Sequence, residues 1–96
     1  FKPSVMKASN EFIKNQIAYY LSDAEYHQEK IAKATVSIAA IVNMCAEAKI
    51  NIIDVPVYAD AVSSKAYHQD YLDKAFMHLD ILYVARDAKA DNPIYK

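Results

Sequence analysis

Apolar residues recur along the first half of the chain in an unbroken alternation of four- and three-residue steps. The positions are Ile13, Ile17, Tyr20, Ala24, His27, Ile31, Ala34, Ile38, Ile41, Cys45, Ala48 and Ile52. At about 100° per residue they fall on one stripe, as in an amphipathic helix or a coiled-coil seam. The pattern predicts a helix over about 9–50, roughly 60 Å long if continuous. Ser22-Asp23-Ala24-Glu25 reads as a capping box, which makes a break or kink near Ser22 the alternative to a continuous helix.

Residues 51–56 form the best turn. Asp54 is placed to cap the next helix and Pro56 fits its first turn, where no amide partner is needed. A second helix is predicted over about 57–90, stopped at Asp91-Asn92-Pro93. Its core stripe reads His68, Leu72, Ala75, Phe76, Leu79, Leu82 and Tyr83, with Tyr71 on one edge and Asp73, Asp80 and Asp87 on the other. Residues 1–8 and 91–96 are expected as tails. The fold class is therefore all-α: an antiparallel helical hairpin or small helical bundle, one domain over 1–96.

Both helices also carry apolar residues on the side opposite the stripe: Val36, Ala40 and Met44 in the first, Met77, Ile81 and Val84 in the second. A lone hairpin leaves both sets in water. Self-association or a protein partner is the expected cover.

Composition narrows the function. There is no glycine, the residue that supplies positive φ in tight turns and phosphate loops, which disfavours hairpin-rich and nucleotide-cradling folds. Apolar residues make up 54%, enough for a core and too many for a disordered chain. Net charge is −1 and the lysines are scattered, so the basic footprint of a nucleic-acid or anionic-membrane binder is missing. No 18-residue apolar span stands out, since the run Ala34–Ala46 is short and carries Ser37 and Asn43. The single Cys45 excludes an internal disulfide and a CxxC site, and a cytoplasmic location is expected. A first residue of Phe rather than Met suggests a processed or trimmed start.

Tyr-His-Gln occurs twice, at Tyr26-His27-Gln28 and Tyr67-His68-Gln69. Sliding the chain by 41 residues also aligns Ser22 with Ser63 and Lys33-Ala34 with Lys74-Ala75. A duplicated helical unit and coincidence within a biased composition both fit. The sharp reading of the two histidines is a metal or haem held between helices. The plain reading is core-edge imidazoles satisfied by a Tyr hydroxyl, a Gln amide or a carbonyl. Geometry bears on the choice: in a hairpin turning near residue 53, His27 lies level with His78, and His68 is displaced by about 16 Å. Pairing His27 with His68 in one chain then requires the broken, duplicated arrangement.

No Glu-x-x-His set, His-Glu-x-x-His or CxxCH is present, and neither a nucleophile–base pair nor a phosphate loop can be named, so an enzyme is not expected. Length and layout resemble the small exported helical hairpins defined by a Trp-x-Gly turn, and Tyr83-Val-Ala-Arg-Asp87 matches their loose Tyr-x-x-x-acid tail. The chain has neither Trp nor Gly, and Tyr19 to Asp23 meets the same loose pattern, so no function is transferred.

The expected function is a non-enzymatic protein–protein interaction module: an adaptor, assembly subunit or inhibitor presenting a helical face. Met77, Ile81 and Val84 would desolvate on binding while Asp73, Asp80 and Asp87 steer the encounter. The alternative is a small metal- or haem-binding bundle using His27 and His68. No cofactor is expected on the first reading, and neither a nucleic-acid nor a membrane partner.

Overall fold

The computed structural model describes the backbone of residues 2–91 and the side chains of residues 10–88. It is a helical hairpin. Helix α1 (Lys2–Ala48) and helix α2 (Pro56–Asp91) are joined through a short 3-10 turn, Ile52–Asp54, and the described residues contain no strand. Helix α1 begins well ahead of the expected start near residue 9. Phe1 and residues 92–96, including the expected stop at Pro93, lie outside the described residues.

The backbone stays helical through Ser22, so the expected alternative of a break there is not realised. The seam explains why. Ile17, Tyr20, Ala24 and His27 keep their phase across Ser22 and all are buried or half-buried. An interruption would move the following residues off that face and cost intrahelical hydrogen bonds, which outweighs one local capping signal.

Helix α1 ends with Lys49 in the left-handed region at φ 56°, and the Ile50 N–H donates to the Cys45 carbonyl at 2.9 Å. This is the six-to-one closure of a Schellman cap, in which glycine usually takes the left-handed place. A glycine-free chain puts a lysine there and accepts the Cβ clash. The 3-10 turn is capped by Asn51, whose side-chain oxygen accepts from the Ile53 N–H at 3.1 Å. Asp54 closes the 3-10 turn instead of capping α2, because extended Val55 stands between it and Pro56.

Contacts divide the hairpin into two compact units, each built from both helices. The central unit is Glu25–Leu72; the terminal unit is Phe1–Ala24 with Asp73–Lys96. In the terminal unit the buried side chains are Ile13, Ala24, Ala75 and Leu79; in the central unit they are His27, Ala34, Cys45 and Leu72. Alanines recur at these places, and a small side chain lets helix backbones approach closely.

Of the α1 stripe from Ile13 to Ile52, only Ala48 is exposed. The α2 stripe extends further toward its start than the pattern indicated, through half-buried Tyr58, Ala61 and Lys65. Phe76, expected in the core, is 43% exposed. It stands one residue beyond Ala75, and the seam runs through Leu72, Ala75 and Leu79.

Candidate histidine–tyrosine site

The two Tyr-His-Gln tripeptides meet in the central unit. His27 Nδ1 and His68 Nδ1 are 2.8 Å apart, with the ring planes tilted by 41°. One ring donates its δ N–H and the other accepts on a bare δ nitrogen, so the contact requires complementary protonation of the two rings. His27 is buried and His68 half-buried.

This overturns the expected register, in which an unbroken hairpin set His27 level with His78. At helical rise His27 lies about 31 Å before the end of α1, and His68 about 18 Å into α2. Their pairing requires the connection Lys49–Val55 to run back about 13 Å along α1. A connection with axial travel of its own lets one unbroken chain bring the tripeptides together. His78 belongs to the terminal unit, where it stacks on Tyr20 with centroids 4.7 Å apart and planes 15° apart.

Tyrosines surround the imidazole pair. Tyr26 packs edge-on to His27 at 5.0 Å and to His68 at 6.0 Å. Tyr67 packs edge-on to His68 at 5.0 Å, and Tyr71 stacks on His27 at 5.5 Å. The arrangement has a local two-fold character. The residue three places after His68, Tyr71, covers His27. Its counterpart three places after His27 is Lys30, whose charge acts on His68. Lys30 also lies 5.5 Å over the Tyr26 ring, and Tyr67 and Tyr71 are 4.8 Å apart.

Electrostatics follow from this packing. Burial, then the charge of His27, then that of Lys30 hold His68 below the ordinary imidazole range. The Tyr67 hydroxyl is pushed above the usual phenol range, first by its hydrogen bond with Tyr71, then by the charge Tyr71 would carry, by burial and by Tyr26. The described residues hold no group of three or more His, Cys, Asp or Glu side chains placed to hold a metal ion.

The other singled-out residues lie elsewhere. Met77, Ile81 and Val84 are 55%, 62% and 69% exposed on α2 in the terminal unit, with Asp73, Asp80 and Asp87 exposed beside them. Val36 and Met44 are exposed on α1 in the central unit, where Ala32, Lys33, Val36 and Ser37 line an open depression. Cys45 is a buried free thiol. Arg86 is exposed, with its guanidinium 4.9 Å over the Tyr83 ring and its Nε 3.3 Å from Asp87 Oδ1.

One compositional expectation is corrected. Within Asn10–Ala48 an 18-residue window reaches a mean hydropathy of 1.4, so by length and composition α1 qualifies to cross a membrane. Averaging over the window absorbs Ser37 and Asn43, which had argued against such a span. Core helices of soluble proteins and signal sequences meet the same criterion.

No protein-family model, curated protein or solved structure matches this chain. Its own geometry is the basis for a functional reading.

Proposed function

We propose that the chain is a non-enzymatic protein–protein interaction module that works by presenting an exposed helical face, as an adaptor, assembly subunit or inhibitor does. The observation that carries the reading is the exposure of Met77, Ile81 and Val84 together. Steps of four and three residues put them on one side of α2. Desolvating a large apolar side chain contributes about 1.5–3 kcal/mol when burial is complete. The three are therefore the natural centre of a contact, and Asp73, Asp80 and Asp87 give it an acidic margin that favours a basic or mixed-charge counterpart. Val36 and Met44 offer further uncovered apolar surface on α1.

Light scattering of the wild type and of Ile81→Asp tests this, followed by a pull-down with both proteins as bait. The expected result is either a mass above the monomer that falls in the variant, or a captured protein that the variant loses. A monomer whose catch is unchanged by Ile81→Asp defeats the reading. So does flotation with lipid vesicles that the variant abolishes, because the α2 face would then be serving a bilayer.

The alternative of a metal or haem site gains no support from the described residues, which hold no group of three or more His, Cys, Asp or Glu side chains placed for a metal ion. Bound metal or haem absorbance in the purified protein, lost in His68→Ala, would reverse that judgement.

A further inference from the structure

Between Lys33 and Glu47, helix α1 carries no charged residue on any side. A helix without a charged face is usually covered all round. Here the seam side is covered, with Ala34 and Cys45 buried, while the opposite side is open. On that open side Val36 is 70% and Met44 67% exposed, with exposed Ala40 between them. Of the 18-residue apolar window in α1, only 11% is buried.

The open face has a self-complementary layout. Lys33 and Glu47 bound it, both exposed, each seven residues from Ala40 and opposite in charge. Val36 and Met44 likewise stand four residues either side of Ala40. Steps of three and four residues keep all five on one side of the helix.

We propose that two copies of this chain pack α1 against α1, antiparallel, about a two-fold axis at Ala40. The surface differs from the α2 face of the function proposed above, so neither reading depends on the other.

Reversal puts each residue level with the one equally far beyond Ala40. Lys33 then faces the partner's Glu47, twice by symmetry, and Val36 lies beside the partner's Met44. A parallel pair would instead set Lys33 against Lys33 and Glu47 against Glu47. Lys33 already meets Glu29 at 3.1 Å, one turn earlier on the same helix. An ammonium has three donors and can serve both carboxylates. Ala40 at the crossing lets the helix axes approach closely. Met44 brings an unbranched, adaptable side chain toward Val36, one wall of the depression lined also by Ala32, Lys33 and Ser37. The two end charges also favour a second helix over lipid. They stand about 21 Å apart, short of the roughly 30 Å of a bilayer's hydrocarbon core, so a spanning helix would carry a charge into it.

Sedimentation of the whole chain at rising concentration should show a dimer. Ala40→Glu sets two carboxylates together on the axis and should leave a monomer whose helix content, by circular dichroism, is unchanged. Lys33→Glu should weaken the dimer about ten-fold or more, and Lys33→Glu/Glu47→Lys should restore it. With the buried thiol removed as Cys45→Ala, Ala40→Cys should cross-link under a mild oxidant, since a residue on the axis meets its own copy. Val36→Cys should not, because antiparallel copies hold it about 12 Å from itself along the helix. The Ala40→Cys link should also survive Ile81→Asp, which separates this contact from the α2 face. A monomer even at millimolar concentration overturns the proposal. So does a dimer unmoved by Ala40→Glu, a charge-exchanged variant no tighter than Lys33→Glu, a Val36→Cys self-link, or loss of the Ala40→Cys link in Ile81→Asp. Flotation with phosphatidylcholine vesicles that Ala40→Glu abolishes would assign the face to lipid and overturn it too.

Discussion

In the terminal unit an exposed histidine, His78, lies flat on Tyr20, whereas in the central unit His27 and His68 sit on the helix seam and meet through their δ nitrogens. The first arrangement makes no demand on protonation, because one ring face covers another. The second makes a strict one, because a buried nitrogen needs a partner of opposite hydrogen-bonding role. The units also differ in what fills the seam. The terminal unit packs Ile13, Ala24, Ala75 and Leu79, all apolar, while the central unit places an imidazole pair among Ala34, Cys45 and Leu72. Apolar packing holds regardless of pH. The polar contact is conditional, because it needs one donor and one acceptor between the two rings.

The largest expected effect tests the apolar side of this contrast. Leu79 is 3% exposed, and Leu79→Ala should lower stability by about 3 kcal/mol in urea unfolding, with no change in its pH dependence. Acquired pH dependence would show that the terminal unit is not the passive half.

Next comes the imidazole pair itself. His68→Leu alone takes away the partner of the His27 δ nitrogen and should cost about 2 kcal/mol, while His27→Leu/His68→Leu should cost clearly less, because that nitrogen is then removed as well. Additive losses in that cycle would mean that the two rings do not act as a pair. The Tyr20–His78 stack should be worth about 1 kcal/mol, read from His78→Ala by the same denaturation.

Lys49→Gly should raise stability by about 0.5–1 kcal/mol, since glycine takes the left-handed residue of the cap without a Cβ clash. A loss instead would mean that the lysine side chain contributes to the connection. Smallest of all, Ile81→Asp should change stability by about 0.5 kcal/mol or less, because the side chain is 62% exposed. A large loss would show that Ile81 supports the terminal unit and does not present a free face.

Much of the fold was legible in the residue pattern. The α1 stripe from Ile13 to Ile52 was readable because a four–three alternation has one helical solution, and Ala48 is its single exposed member. The α2 seam was readable only from His68 onward. Before that, Lys65 interrupts the apolar signal although it is half-buried, its long aliphatic stem giving it a place on the seam that its charge conceals. Asp54, nearer Pro56, is the more familiar capping signal, yet Asn51 is the residue whose side chain caps the turn. The site was half legible. The repeated tripeptide marked the right residues, but the register drawn from a turn near residue 53 kept them apart.

Helix content, the two seams and the faces left outside follow from local chemistry: periodicity decides which side of a helix is apolar, and neighbours in sequence decide where it ends. The axial offset between the helices is a different kind of quantity. A seam that recurs every three or four residues presents a similar apolar face after a slide of about 10 Å, so packing alone accepts several registers. The choice rests on the path of Lys49–Val55 back along α1. That path brings His27 to His68, and only the folded arrangement of the chain could reveal it.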